Sequence, residues 1–402
     1  MKDFNYMAFA MPSFFVFLYL EYWLAAKQGR SSLFKYEGSI SNLTVGIAER
    51  LLSLLISGSF YGLFYEIYNH YALFAVPDSW WVWIVLILVT DLIWYWYHRL
   101  GHQANLLWAA HIVHHQSEQF NYTVSARITV FQALIRNLFW CIMPLLGFPP
   151  AMVISILVVH GIYAFFTHTQ VIGKLGWIEH ILITPSLHGV HHASDEKYLD
   201  KNFGDIFTCW DKLFGTFQKE EEPPVYGLTH PVKSYSFLWQ HFHYYLEIIE
   251  ACKRQDKWKD KIGNLFGGPS GMDQTIRPVL EQRYFQRRSL RGSGLRFRAY
   301  LNAQILLSVI LLFLVTGFYH HLDAAGLSFA AVFLLLTLIN CGALLEQRQY
   351  IFYLECFRLI VFISACCYQL GIVSYTVFPV LGLIVLERLF SLKEVYNRYV
   401  NL

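Results

Sequence analysis

Residues 98–115 read HRLGHQANLLWAAHIVHH and carry five of the chain's 17 histidines. They follow without a break on SWWVWIVLILVTDLIWYWY (79–97), an apolar and aromatic run close to the ~20 residues that cross a bilayer core. Successive residues of a helix are about 100° apart, so positions i, i+3 and i+4 share a face. On that spacing His98-x3-His102 and His111-x2-His114-His115 each present imidazoles side by side from one helix. A third group, His188-x2-His191-His192, repeats the HxxHH pattern downstream. One HxxHH alone is compatible with an ordinary surface. Three such groups, two with the same spelling and both of these after apolar spans, point to metal binding.

The number of ligands narrows the site. A structural zinc site saturates at four, so eight or more clustered imidazoles imply two metals. Carboxylates are scarce beside the first two groups, where only Asp91 and Glu118 occur, which excludes a ferritin-like carboxylate bundle. Imidazole suits zinc, copper, iron and nickel alike, so spacing leaves the metal open. Position favours oxygen chemistry. A hydrolytic zinc enzyme has little need of metals at the ends of spans, whereas attack on an unactivated C–H bond needs a dry, apolar approach from the lipid.

Composition sets the class. Of 402 residues 55% are hydrophobic and 15% charged, against about 25% charged in typical soluble domains. The expected fold is all-α, a polytopic membrane helical bundle with a histidine-rich extramembrane catalytic cap. Apolar segments fall near 7–26, 45–67, 79–97, 127–147, 150–167, 300–319, 325–345, 349–371 and 373–391, which gives seven to nine membrane-associated segments. Glu49 and Arg50 interrupt the second and Arg127 and Arg136 the fourth, as in interfacial or re-entrant helices. The first run lacks a basic leader and contains Glu21, so it is expected to be a retained helix rather than a cleaved signal. The expected organisation is N-terminal membrane helices over 1–97 and a histidine-rich catalytic region over 98–230. A polar linker with an amphipathic segment over 231–298 and C-terminal membrane helices over 299–402 complete it. A net charge of +3 gives no case for nucleic acid as a partner. The seven cysteines form no CxxC pair and read as buried thiols. KRQDKWKDK (253–261) and the basic run 283–298 place the cap on the cytoplasmic side. That membrane is the endoplasmic reticulum in a eukaryote and the inner membrane in a bacterium. The basic run itself reads as a solvated, lipid-facing segment.

The three histidine groups, in this order, resemble the fatty acid hydroxylase/sterol desaturase superfamily of membrane di-iron oxygenases. The likeness extends over DLIWYWYHR (91–99), LWAAHIVHHQSEQFN (107–121), FFTHTQVIGKLG (165–176), TPSLHGVHH (184–192) and KYLDKNFGDIFTCWDKLFGTF (197–217). VYGLTHP (225–231), LFGGPSGM (265–272) and a C-terminal LLEQR (344–348) resemble its alkylglycerol monooxygenase branch. The resemblance implies iron, two per chain, on His98, His102, His111, His114, His115, His168, His188, His191 and His192. His160, in an apolar run, reads as a packed helix histidine ahead of a ligand, and His180 matches no ligand of the family. Metal histidines usually donate their second ring N–H to a carboxylate or carbonyl. Asp91, two turns before His98, Glu118 and Asp211 are therefore the expected supports, with a turn or cap as the alternative for Asp211.

The resemblance further implies an O2-dependent monooxygenase that hydroxylates the ether-linked carbon of O-alkylglycerols and releases a fatty aldehyde. Its partners would be the lipid substrate in the bilayer, O2 and an electron donor, tetrahydrobiopterin or a redox protein. No side-chain nucleophile is required. A sterol or fatty-acyl hydroxylase or desaturase is the alternative within the superfamily, and a histidine-based metal transporter is the alternative outside it. Transporters place polar ligands near the midplane of several spans, whereas these clusters sit at span ends. Four positions depart from the branch's pattern. Gln103 stands where an acid is frequent, and Ile183, Leu187 and Gly189 replace a polar residue, a histidine and an arginine.

Overall fold

The computed structural model describes residues 4–77, 79–284, 294–348 and 350–399. Among these residues there is no strand, only helices, short 3-10 turns and two isolated bridges. Most of the expected basic run lies outside the described residues, because 285–293 belong to none of these ranges. The helices are α1 (Ala10–Lys27), α2 (Tyr36–Tyr71), α3 (Trp80–Gln103), α4 (Asn105–His115), α5 (Tyr122–Ser125), α6 (Val130–Trp140), α7 (Ile142–Leu145), α8 (Pro150–Thr167) and α9 (Pro185–His191). They continue as α10 (Cys209–Leu213), α11 (Phe237–Lys253), α12 (Trp258–Phe266), α13 (Ile276–Tyr284), α14 (Leu295–Gly317), α15 (Ala324–Leu345), α16 (Ile351–Gln369), α17 (Val377–Phe390) and α18 (Leu392–Tyr399).

Among the described residues seven helices are long and apolar enough to cross a membrane: Tyr6–Lys27, which includes α1, and then α2, α3, α8, α14, α15 and α16. The chain is thus a multi-pass membrane protein. Two of the nine apolar segments are not of spanning length. Segment 127–147 breaks into α6 and α7, with the Thr129 hydroxyl capping the first by accepting the Gln132 N–H at 2.9 Å. Segment 373–391 forms a 3-10 turn and the 14-residue α17. The second segment lengthens instead, into the 36-residue α2. Its Glu49 is not a surface charge. It is buried, accepts the Ser53 hydroxyl at 2.7 Å and lies 3.8 Å from Arg136, the pairing that makes an acid tolerable in an apolar span. The cysteines are all free, but Cys209 and Cys366 are exposed rather than buried.

Three apolar clusters assemble the bundle. One joins α2, α14, α15 and the start of α16, a second joins α4 to α11 and α13, and a third joins α2, α3 and α6 to α8. The expected boundary at 97/98 falls inside α3, which runs on to Gln103. At about 1.5 Å per residue its 24 residues span about 36 Å, more than the ~30 Å hydrocarbon core. His98 and His102 sit in its last two turns, at the end of the span-length helix rather than in its middle.

Candidate metal centre

Four helices deliver the histidines. The last turns of α3 carry His98 and His102, α4 carries His111, His114 and His115, and α9 carries His188 and His191 with His192 just after it. His168 terminates α8. The TPS of TPSLHGVHH starts α9 locally: Thr184 accepts the Leu187 N–H and Pro185 occupies the first helical turn, where its missing N–H costs nothing. The Thr129 hydroxyl donates to the Ala110 carbonyl at 2.7 Å and ties α6 to the middle of α4.

All nine expected histidines come together, in two groups. His98, His102, His111, His115 and His191 form one; His114, His168, His188 and His192 form the other, with ring nitrogens within 4.8 Å in each. The sorting crosses the sequence motifs. In each HxxHH the first and last histidines, separated by i, i+4, enter one group and the middle one enters the other. His111 and His115 thus join α3 while His114 faces α8. His188 and His192 join His168 while His191 crosses to α3. The cause is angular: i and i+4 differ by about 40°, while i+3 falls on the other side of i by about 60°. Each triplet is a bridge between two groups rather than a ligand set for one.

Hydrogen bonds fix the tautomers. His98 Nδ1 lies 2.9 Å from the Phe203 carbonyl, His114 Nδ1 3.3 Å from that of Arg127, His168 Nδ1 2.6 Å from that of Ala164 and His191 Nδ1 2.9 Å from that of Lys201. A carbonyl only accepts, so each Nδ1 carries the proton. Burial away from water pushes His114 and His191 well below the ordinary imidazole range and His168 down to about 4, so these rings are neutral. Their Nε2 atoms are consequently bare lone pairs. Those of His114 and His168 are 3.2 Å apart with no proton between them. The Nε2 pairs His98–His111, His111–His115 and His168–His188 lie at 3.1, 3.0 and 3.0 Å. The Nε2 atoms of His102, His191 and His192 are buried without any partner.

Bare lone pairs turned on one another in a dry interior are unfavourable unless a cation lies between them. Two nitrogens each about 2.1 Å from one ion and about 90° apart are about 3.0 Å from each other. The spacings fit that arrangement, and the all-imidazole donor set suits iron as well as zinc or copper.

One loop orients much of the first group. Residues 200–203 supply the Lys201 and Phe203 carbonyls, and the Asp200 carboxylate lies 3.5 Å from His102 Nδ1. Asp200 and Asn202 sit at φ +57° and +53°, in the left-handed region that Asp and Asn tolerate. Asn202 is fully buried; its carboxamide donates to the Leu187 and Gln218 carbonyls. Asp211 is the keystone of the loop. It accepts the Phe203 and Gly204 N–H groups at 2.8 and 2.9 Å and the Thr216 hydroxyl at 2.7 Å. A Cβ on Gly204 would stand 2.6 Å from the Phe207 carbonyl, so only glycine fits there.

The other expected supports sit elsewhere. Asp91 does not reach the nine clustered histidines. Its carboxylate accepts the Ile206 and Phe207 N–H groups at 2.9 and 3.0 Å and clusters with His160 and Asp205, whose carboxylate meets His160 Nδ1 at 2.7 Å. His160 is accordingly a packed, acid-paired histidine. Glu118 faces outward, its side chain 52% exposed and 3.8 Å from Lys35, because it lies beyond the end of α4.

Two charges that the sequence marked inside apolar runs, without a role, brace the site. Glu21 in α1 accepts the Tyr122 N–H at 2.8 Å and the Thr169 hydroxyl at 2.5 Å, bracing the residue after His168. Arg127 is buried, donates to the Val113 carbonyl at 2.6 Å and to Gln116 at 2.8 Å, and closes the carbonyl end of α4. The available signal was a charge inside an apolar run, which is costly unless it has partners. Of the departing positions, Ile183 and Leu187 are fully buried and Gln103 is exposed. A Cβ on Gly189 would come within 3.0 Å of the Tyr226 hydroxyl, in a ring stacked on Phe120 beside His192.

The fatty acid hydroxylase family model matches residues 83–216, the stretch that holds every one of these histidines. Human alkylglycerol monooxygenase is 31% identical over 372 residues, 89% of this chain and 82% of its own. The chain belongs to the fatty acid hydroxylase family. Membership makes it a membrane oxidoreductase. Alkylglycerol monooxygenase of Xenopus tropicalis is 28% identical over 89% of this chain and 81% of its own. The ornithine lipid hydroxylase OlsE of Rhizobium tropici is 28% identical over 37% of this chain and 46% of its own. No solved structure matches.

Proposed function

We propose that the chain is a di-iron, O2-dependent lipid monooxygenase that acts on O-alkylglycerols at the carbon next to the ether oxygen. The observation that carries the reading is the convergence of nine buried imidazoles on two foci in a chain that matches alkylglycerol monooxygenases over most of its length. His98, His102, His111, His115 and His191 would hold one iron, and His114, His168, His188 and His192 the other. When bound, iron supplies the redox chemistry that places one atom of O2 on an unactivated carbon while two electrons and two protons convert the other to water. The hydroxylated ether is a hemiacetal. It opens to a fatty aldehyde and a free glycerol hydroxyl with no further oxidant.

The protein's share is placement and exclusion of water. The loop at 200–203 and the Arg127 and Ala164 carbonyls hold the imidazoles in one tautomer, with lone pairs inward. Trp108, Phe120 and Phe203 pack against the histidine rings, tilted or edge-on, and keep the centre dry. Tetrahydrobiopterin is the electron donor in this reading, and the lipid substrate enters from the bilayer. The catalytic cap faces the cytoplasm, in the endoplasmic reticulum of a eukaryote or the inner membrane of a bacterium.

The test is mass spectrometry of lipids after incubation of wild type and His114→Ala with an alkylglycerol, with and without reduced pterin. Aldehyde that appears with wild type only, and only with the pterin, supports the reading. Iron-loaded enzyme that yields no aldehyde refutes the ether cleavage. A hydroxylated sterol or acyl lipid in its place would assign the alternative.

A further inference from the structure

Helix α12 lies outside the centre and carries an apolar stripe that none of the described residues covers. Trp258, Ile262 and Phe266 are spaced i, i+4, i+8 and are 77%, 53% and 62% exposed, and none of the helix's residues is buried. At about 100° per residue the three fall within about 80° of arc. Lys259 and Lys261 flank Trp258 at about 100° and 60°, while Asp260 lies about 160° away. The Lys261 ammonium reaches over the Trp258 ring at 5.3 Å. Over 253–261 five cations face two acids. Arg254 is engaged with Asp273 at 2.8 Å, and Lys253 lies 3.9 Å from Glu250.

The height of this stripe is set by Asn105, the first residue of α4. Its backbone N–H donates to the Gly267 carbonyl at 2.8 Å and its side chain to the Asn264 carbonyl at 3.0 Å. The Tyr244 hydroxyl donates to the Asn105 side chain at 2.6 Å and adds α11 to the clamp. The end of α12 therefore abuts the end of α3, where the span leaves the hydrocarbon. Tryptophan with flanking lysines at that level is the composition of a helix that lies in a membrane interface.

We infer that α12 is an interfacial helix, its Trp258–Ile262–Phe266 face sunk into the acyl boundary of the leaflet on the metal-centre side and its lysines paired with anionic headgroups. The occupant of the stripe is lipid, not a second protein. The contact is independent of the chemistry at the histidines.

The experiment uses the full chain in nanodiscs of phosphatidylcholine, with and without phosphatidylserine. A photoreactive p-benzoylphenylalanine replaces Ile262 in one sample and Asp260 in the other, both exposed, so folding is not at stake. Irradiation followed by mass spectrometry counts lipid adducts. Acyl-chain adducts at 262 at least about tenfold above those at 260 are expected, with severalfold more in the presence of phosphatidylserine, since each surface cation favours an anionic leaflet. Equal yields at the two positions, or a cross-link to a second protein chain at 262, overturn the inference. Yields that ignore phosphatidylserine overturn the pairing with anionic headgroups. The triple variant Trp258→Ser, Ile262→Ser, Phe266→Ser gives a second measure. Deuterium exchange over 258–266 should rise severalfold against wild type in discs and match it in detergent; no difference in discs would contradict the embedding.

Discussion

Asp211→Asn changes one atom and removes a charge without altering size. In the native chain its two oxygens face three donors: the Phe203 N–H and Thr216 hydroxyl at one, the Gly204 N–H at the other. An asparagine oxygen can serve the first pair, which sets the new NH2 against the Gly204 N–H, donor to donor, in a site with no solvent access. Hydrogen bonds to a charged group contribute about 1.5–3 kcal/mol each and a buried unpaired donor costs about 1–3 kcal/mol, so the loop loses about 2–4 kcal/mol. Its release moves the Phe203 carbonyl off His98 Nδ1 and frees the ring to change tautomer. Loss of such a support lowers metal affinity about 10–100-fold. The assay is iron retention through a chelator titration of the purified chain, read by elemental analysis. Leu334→Ala, a buried position in the C-terminal bundle, costs a similar ~2–5 kcal/mol and controls for general destabilisation. Asp211→Asn should lose iron at a chelator concentration at least about tenfold lower than wild type, and Leu334→Ala should not. A midpoint for Asp211→Asn within about twofold of wild type would refute the orienting role argued for the loop.

Three further outcomes follow from the same geometry. In metal-stripped protein, His168 is held at about 4 against 6.5 when unfolded, and His114, His188 and His192 are likewise lowered by burial and mutual repulsion. Their neutral form is the folded one, so stability is full above pH 6.5 and is lost as pH falls toward 4. His168 alone accounts for about 3 kcal/mol of that loss, and a melting temperature flat from pH 8 to 4 would contradict it. Gly204→Ala forces a Cβ to within 2.9 Å of the Asp211 carboxylate and should cut the yield of folded, iron-loaded chain severalfold, as judged by size-exclusion chromatography with iron analysis. Glu21→Ala should lower iron retention at the His168 group while Glu118→Ala, at an exposed site, leaves it unchanged.

The spans and the histidines were legible because each rests on a local period. Apolar length marks a membrane helix, and i, i+3, i+4 spacing marks a shared face. What spacing left hidden was the partition, because it depends on which neighbour each face meets. His111 and His114 are three residues apart yet belong to different groups, a consequence of α4 lying between α3 on one side and α8 with α9 on the other. The supports were less legible still. Asp91 was expected two turns behind His98 on the same helix, but an inward carboxylate is claimed by the nearest free N–H groups, here those of Ile206 and Phe207. The actual partners are mostly backbone carbonyls, which carry no residue signature. Asp211 was found through its motif, and its carboxylate acts one step removed, on the loop that holds His98. Segment 127–147 was legible through its charges: Arg127 and Arg136 marked it as interfacial or re-entrant, and it forms the short α6 and α7 rather than a span.

Metal content of the purified chain, with iron identified by Mössbauer spectroscopy, tests the two-focus centre most directly. Two irons per chain in nitrogen-rich surroundings are expected for wild type. His188→Ala, which takes one of four nitrogens from its group and none from the other, should drop the count to one. A single metal in wild type, or two retained at unchanged affinity in His188→Ala, would contradict a centre built from two separate histidine groups.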